Sequence, residues 1–354
     1  MLSCAAFVAA VGIRKATTVR MSVHGSTAVR AGSGSMASQK IRAMDVALNL
    51  TDAMYKGQYN GSQKHPADME RVLRRGVSVG VDHALVLAGT LSESREALAL
   101  ACDESLRASS GCDLFCTAGV HPTRSKELFD VHGALQSKYL EELRGVIERG
   151  KATGRLVAVG ETGLDYDRLH FCDIETQKRS FLIQIELAEE YELPMLLHNR
   201  NTAGDFVAFM RARRTRFTHG VVHSYTGSAD EAAALLELGL YIGLNGCSFK
   251  TEDNLDTAKT IPLERVLVET DGPYCGVRPT HASATMIRSS WPANDKKKYE
   301  PHATVKGRVE PCHVLHVLEI LAQLHDTSVE KVARITFENS QRVFGLPIQE
   351  PSSA

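Results

Sequence analysis

The 354-residue chain has no Cys-x-x-Cys pair, no repeat of fixed period and no large net charge. It also has no apolar run approaching the ~18 residues a membrane span needs. Each absence removes a class of protein. Without paired spacing, the eight cysteines (4, 102, 112, 116, 172, 247, 275 and 312) outline no thiolate zinc site. In a chain of this size they indicate a reducing compartment rather than a disulfide frame. Cys116 and Cys247 fall in apolar runs and read as small buried hydrophobes. Lys and Arg number 41 against 42 Asp and Glu, for a net charge of −1. Bulk charge therefore draws in no polyanion, and any affinity for nucleic acid needs a local patch or a bound metal.

Acids are missing altogether from residues 1–44, which carry Arg14, Lys15, Arg20, Arg30, Lys40 and Arg42 and end near Gly32-Ser33-Gly34-Ser35. The apolar start, Leu2 to Ile13, has no preceding cation and so fits a secretory signal poorly. An acid-free stretch bearing Arg and Ser fits an organelle transit peptide better, or an untargeted disordered extension with Met36 as an alternative start. Residues 1–44 are thus expected to be a targeting or disordered extension, 45–347 a single domain and 348–354 a tail. A mitochondrion or other organelle follows from the first reading, nucleus or cytoplasm from the second. Beyond residue 44, 35 cations face 42 anions, so the folded part is acidic.

What is present is a repeated local grammar. Val157-Ala158-Val159-Gly160-Glu161-Thr162-Gly163 is an apolar run broken by glycine, with a carboxylate directly after it. It reads as a buried parallel strand delivering Glu161 at its carboxyl end. Pro194–His198 and Gly220–His223 end in histidine, and Val266–Asp271 ends Glu-Thr-Asp. With Ala43–Leu50, His83–Gly89, Leu114–Val120 and Leu240–Asn245 the strand-like runs number eight. Amphipathic stretches alternate with them: Asp68–Val79, Ser92–Arg107, Gly133–Arg149, Ile174–Tyr191, Thr202–Arg213 and Ala229–Glu237, with a weaker one around Asn254–Lys259. Pro311–His325 and Ser328–Phe344 supply closing helices. The pattern predicts an α/β fold, a (β/α)₈ TIM barrel.

A strand-end histidine taken singly is commonly a hydrogen-bonded core residue, and Asp271 before Gly272-Pro273 could cap a helix. Jointly the reading changes. In a barrel the ends of strands four, five, six and eight share one rim, so Glu161, His198, His223 and Asp271 would converge. Carboxylate and imidazole around an open position are what a metal needs to activate water for phosphoester or amide hydrolysis.

Gly160-Glu161-Thr162-Gly163-Leu164-Asp165, Leu197-His198-Asn199-Arg200, Val222-His223-Ser224-Tyr225 and Glu269-Thr270-Asp271-Gly272-Pro273-Tyr274 together resemble the signatures of the TatD family of metal-dependent nucleases. Gly119-Val120-His121-Pro122 and Arg308…Glu310-Pro311 resemble further ones. The resemblance runs from about Met44 to Gly345 and is nearest the eukaryotic branch. It implies a DNA substrate, single strands or 3′ ends, hydrolysed as a 3′→5′ exonuclease. It implies Glu161, His198, His223 and Asp271 as metal ligands, His121 against the scissile phosphate and Asp271 as proton acceptor. Many members place His-x-His after the first strand, where this chain has Ala47-Leu48-Asn49. One metal is therefore expected to be held better than a second. Ligand chemistry suits Zn²⁺ or Mn²⁺, whereas the resemblance and the imidazole-poor second position favour Mg²⁺.

Asn49, Tyr225, Tyr274, Arg278, Lys296, Lys297, Lys298 and Arg308 are the expected substrate contacts, by stacking and charge; a solvated loop is the competing reading of the lysine run. An amidohydrolase-like barrel cleaving an amide or aminoacyl ester is the enzymatic alternative, and a non-catalytic scaffold the other. The sequence leaves oligomeric state open.

Overall fold

A computed structural model describes residues 41–346. The expected extension and tail therefore lie almost wholly outside the described residues. Eight parallel strands pair in sequence order: β1 (Ala43–Leu48), β2 (Val81–Val86), β3 (Asp113–Ala118), β4 (Leu156–Asp165), β5 (Met195–Arg200), β6 (Gly220–His223), β7 (Tyr241–Leu244) and β8 (Val266–Val268). The ring closes through backbone bonds from Asp271 N to Ala47 O (2.8 Å) and from Asn49 N to Gly272 O (2.9 Å). Every strand is thus flanked on both sides, and the fold is a (β/α)₈ barrel.

Helices α1 (Met69–Ser78), α2 (Leu91–Cys102), α3 (Glu104–Ser110), α4 (Ser137–Ala152), α5 (Ile174–Glu190), α6 (Asp205–Arg211), α7 (Ala229–Glu237), α8 (Glu252–Thr260), α9 (Val314–Leu324) and α10 (Val329–Phe344) form the outer layer. The single helix expected over Ser92–Arg107 is two. Asp103 ends α2 in extended backbone and its carboxylate accepts from Leu106 N, starting α3. The weak periodicity around Asn254–Lys259 is a full helix, α8, because Thr251 and Asn254 cap each other reciprocally at its start.

Alternate strand residues face opposite sides and define two apolar clusters. Met44, Leu85, Phe115, Leu196 and Leu267 pack with Phe337 and Phe344 of α10. Val86, Leu114, Val159, Leu197 and Val222 pack against helix residues such as Leu98, Ile147, Phe181 and Leu235. Among the described residues no helix is long and apolar enough to cross a membrane.

Candidate metal centre

Glu161 does not end its strand as expected. Pairing runs from Val159↔Met195 to Thr162↔Leu197, three steps on β4 against two on β5, and continues to Asp165↔Arg200. The extra residue is a bulge, which re-aims a side chain. Glycine is required on both sides of it: a Cβ on Gly160 would stand 2.4 Å from Leu196 O, and one on Gly163 2.0 Å from His198 O. Glu161 is turned into a cavity of about 530 Å³ whose lining includes His121, His198, His223 and Asp271. A larger cleft of about 720 Å³ alongside shares Arg200 with it but contains no imidazole. The chemistry belongs to the smaller one.

Glu161 Oε1 is the hub. His198 Nδ1 lies 2.7 Å from it, His223 Nε2 2.8 Å and His121 Nε2 3.4 Å. His121, Glu161 and His198 each offer a ligand atom within 4.8 Å of the others. Burial alone would raise the Glu161 carboxyl, but the His223 and His121 imidazoles hold it well below the usual carboxylate range. Burial pushes the His223 ring down, and Glu161 and Glu269 outweigh it, holding the ring well above its ordinary value. His198 is likewise raised against its burial, by hydrogen bonds to Asp165 and Glu161. Burial lowers His121.

The donor set fits a divalent cation. Exchanging one proton on each of the His198 and His223 rings for such an ion leaves the charge of the site unchanged. His223 Nδ1 is buried with no hydrogen-bond partner among the described residues, and Glu269 Oε1 lies 3.5 Å from it.

Asp271 stands slightly apart, at the barrel seam. Its Oδ1 accepts from Asn49 Nδ2 (2.9 Å) and its Oδ2 from the Cys275 thiol (3.2 Å). Burial, with Glu161 and Glu269 adding and His223 opposing, pushes its carboxyl up to about 6. The residue does not cap a helix: its own φ is 49° and its carbonyl accepts from Tyr274 N in a turn.

Of the expected substrate contacts, Asn49 and Tyr274 line the cavity. The structure places the other expected contacts elsewhere. Tyr225 is 2% exposed and its hydroxyl donates to Ser228 O, 2.6 Å, so the ring belongs to the core. Arg308 is spent on buried ion pairs to Asp68 (2.7 Å) and Glu310 (2.8 Å). Arg278 is exposed outside the cavity lining. The Lys296–Lys298 run forms a short 3₁₀ turn, also outside the lining, with Lys296 over the Tyr59 ring at 4.9 Å.

The cations that do line the cavity are Arg124, Arg168 and Arg200. Arg200 Nε is buried with no hydrogen-bond partner among the described residues. Asp165, which takes His198 Nε2 at 3.2 Å, and Glu269, which accepts from Ser224 N at 2.7 Å, complete the supporting shell. These residues went unassigned although Asp165, Arg200 and Glu269 lie within the signatures. Their spacing from Glu161, His198 and Asp271 was the available signal.

A closed parallel barrel with imidazoles and carboxylates gathered over the carboxyl ends of its strands defines a metal-dependent hydrolase. The chain belongs to the TatD-related DNase family, whose model matches residues 44–345. It is 39% identical over 305 residues to a protein of Schizosaccharomyces pombe named deoxyribonuclease Tat-D, covering 85% of this chain and 95% of that one. It is 29% identical over 310 residues to the 3′-5′ ssDNA/RNA exonuclease TatD of Pectobacterium carotovorum, covering 85% and 99% respectively. A crystal structure of a TatD family hydrolase from Entamoeba histolytica superposes with a TM-score of 0.80 at 31% identity, covering 88% of this chain and all of the other.

Proposed function

We propose that the protein is a divalent-metal-dependent nuclease that removes nucleotides from the 3′ end of single-stranded DNA. The observation that carries this reading is the convergence of three ring nitrogens on Glu161 Oε1 in a cavity whose lining also bears three arginines. The fungal and bacterial relatives, named for DNase and 3′-5′ exonuclease activity, support the substrate class.

Glu161, His198 and His223 would hold the ion, with Asp271 and Asn49 beside a weaker second position. Mg²⁺ is the proposed ion, with Mn²⁺ or Zn²⁺ as alternatives for the imidazole-bearing half. The bound ion supplies positive charge that polarises the phosphoryl group and makes an attacking water more acidic. Asp271 accepts the proton of that water, its carboxylate oriented by Asn49 and Cys275. His121 donates to the phosphate. Its Nδ1 accepts from Thr123 N (3.2 Å), which leaves the ring proton on Nε2, the nitrogen 3.4 Å from Glu161 Oε1. Arg124, Arg168 and Arg200 neutralise phosphates that flank the scissile one.

The test is release of mononucleotides from a labelled single-stranded oligonucleotide with a free 3′ end, with Mg²⁺, Mn²⁺ or Zn²⁺ and after chelation. A fluorogenic ester and an amide run in parallel. Metal-dependent release from the oligonucleotide is expected. Turnover of the amide or ester alone would move the enzyme to the other hydrolase chemistry, and no turnover of any substrate would leave a scaffold.

A further inference from the structure

The segment after β4 does something that the hydrolytic centre does not require. Arg168, Leu169, His170 and Phe171 are consecutive and all exposed. Leu169 is 40% and Phe171 51% exposed, so two large apolar side chains face solvent in one short loop. Covering them with an apolar or aromatic partner would remove that surface from water, which is favourable.

This loop is pinned rather than left to wander. Gln177, fully buried on α5, accepts from Asp165 N (2.7 Å) and donates to Asp165 O and Cys172 O (2.9 Å each). One side chain therefore clamps both ends. Asn201 Nδ2 donates to Asp167 Oδ1 at 2.8 Å, tying the loop to the segment after β5. Phe171 N donates to Arg168 O at 3.0 Å, closing a turn that carries both residues. The His170 and Phe171 rings stand 4.2 Å apart by centroid, inclined at 41°. Arg168 lines the catalytic cavity. Tyr274, 55% exposed, lines it too, its hydroxyl tied to Asp52.

We infer that the His170–Phe171 pair is a stacking platform for a nucleobase of the single strand, adjacent to the phosphate that Arg168 holds. The inference rests on the nuclease reading above. A cation and an exposed aromatic pair on one rigid turn match the repeating unit of a single strand, phosphate and unpaired base. In a duplex the base faces are stacked on one another and only the edges are open in the grooves, so the platform selects for strands whose bases are free. The rigidity conferred by Gln177 lowers the ordering cost of binding.

The experiment is a two-by-two comparison on the full chain. Wild type and Phe171→Ala are each assayed with a single-stranded oligonucleotide and with one whose 3′-proximal nucleotides are abasic. For the wild type, KM should rise about tenfold on the abasic strand, in keeping with loss of one base–aromatic stack. Phe171→Ala should show the raised KM on the normal strand already, with kcat little changed, and should barely distinguish the two strands. Phe171→Trp should restore the discrimination. If the variant and the abasic substitution act additively, or if Phe171→Ala leaves KM unchanged, the platform is overturned and the patch serves another contact, such as a protein partner. If the wild type cleaves neither strand with any metal, the nuclease reading itself fails, which is a separate result.

Discussion

His198 Nδ1 and Glu161 Oε1 stand 2.7 Å apart although they belong to adjacent strands, because the bulge at Gly160-Glu161 turns the carboxylate toward β5. The contact makes Glu161 the common partner of the imidazoles. Glu161→Ala should lower turnover by at least about a thousandfold, equivalent to about 4 kcal/mol of lost transition-state stabilisation. The fold should survive, since the residue lies on the rim and packs no core. Circular dichroism and metal analysis check this. Normal turnover with normal metal content would remove Glu161 from the centre.

The second metal position is poorly furnished. Asn49 and Cys275 each already occupy one oxygen of Asp271, and Ala47 offers no ligand. Calorimetric titration of the metal-free protein should give one tight equivalent and a second that tightens only with nucleic acid. The double change Ala47→His, Asn49→His should strengthen the second. Two equally tight equivalents in the unaltered protein would contradict this account.

Salt dependence should separate the arginines of the cavity from the lysine run outside it. Each phosphate contact to a single strand contributes about 0.7 to the slope of log K against log salt. Arg124→Ala and Arg200→Ala should each reduce the slope by about that amount. The triple change at Lys296, Lys297 and Lys298 should leave it at the wild-type value. A flattened slope in the triple variant would return the lysine run to the binding surface.

Arg308 should matter to stability and not to substrate. Its guanidinium forms a two-pronged bond to Asp68, both contacts 2.7 Å, and its side chain and both partner carboxylates are fully buried. Arg308→Leu strips the main counter-charge from buried Asp68 and leaves Glu310 with Arg75 alone, at 2.6 Å, a loss of about 3–5 kcal/mol. Denaturant unfolding should show that loss, while KM of the surviving folded fraction stays near wild type.

Acid should weaken the α9 face. Burial, aided by the His313 ring, pushes His316 down to about 4, and its Nε2 lies 3.2 Å from Ser289 O. An imidazole depressed in the folded state binds a proton more readily when unfolded. Its contribution is therefore present above its ordinary value near 6.5 and is lost as pH falls from there toward 4. Thermal unfolding between pH 7 and 4.5 should show His316→Gln losing less stability than wild type. An equal loss would mean that His316 is not a source of the acid sensitivity.

Much of this molecule follows from local order. Gly220–His223 and Ala229–Glu237 occupy the spans their patterns predict, because a buried parallel strand and an amphipathic helix each impose a period that neighbours in the chain reveal. Once eight strands alternate with helices, ring order brings the ends of β4, β5, β6 and β8 to one rim. Glu161, His198, His223 and Asp271 could therefore be placed together from sequence.

Tertiary structure decided what those residues touch. Whether β4 stops at Glu161 or bulges and runs on to Asp165 depends on backbone approach to β5, which no local pattern encodes. Arg308 reads as a free cation until Asp68, 240 positions away, is brought against it. Tyr225 reads as a rim aromatic until its hydroxyl meets Ser228 O and the ring is buried. A side chain's chemistry is written in its type, but its availability depends on which distant groups have already claimed its charge or hydrogen bonds. That is decided only when the barrel closes.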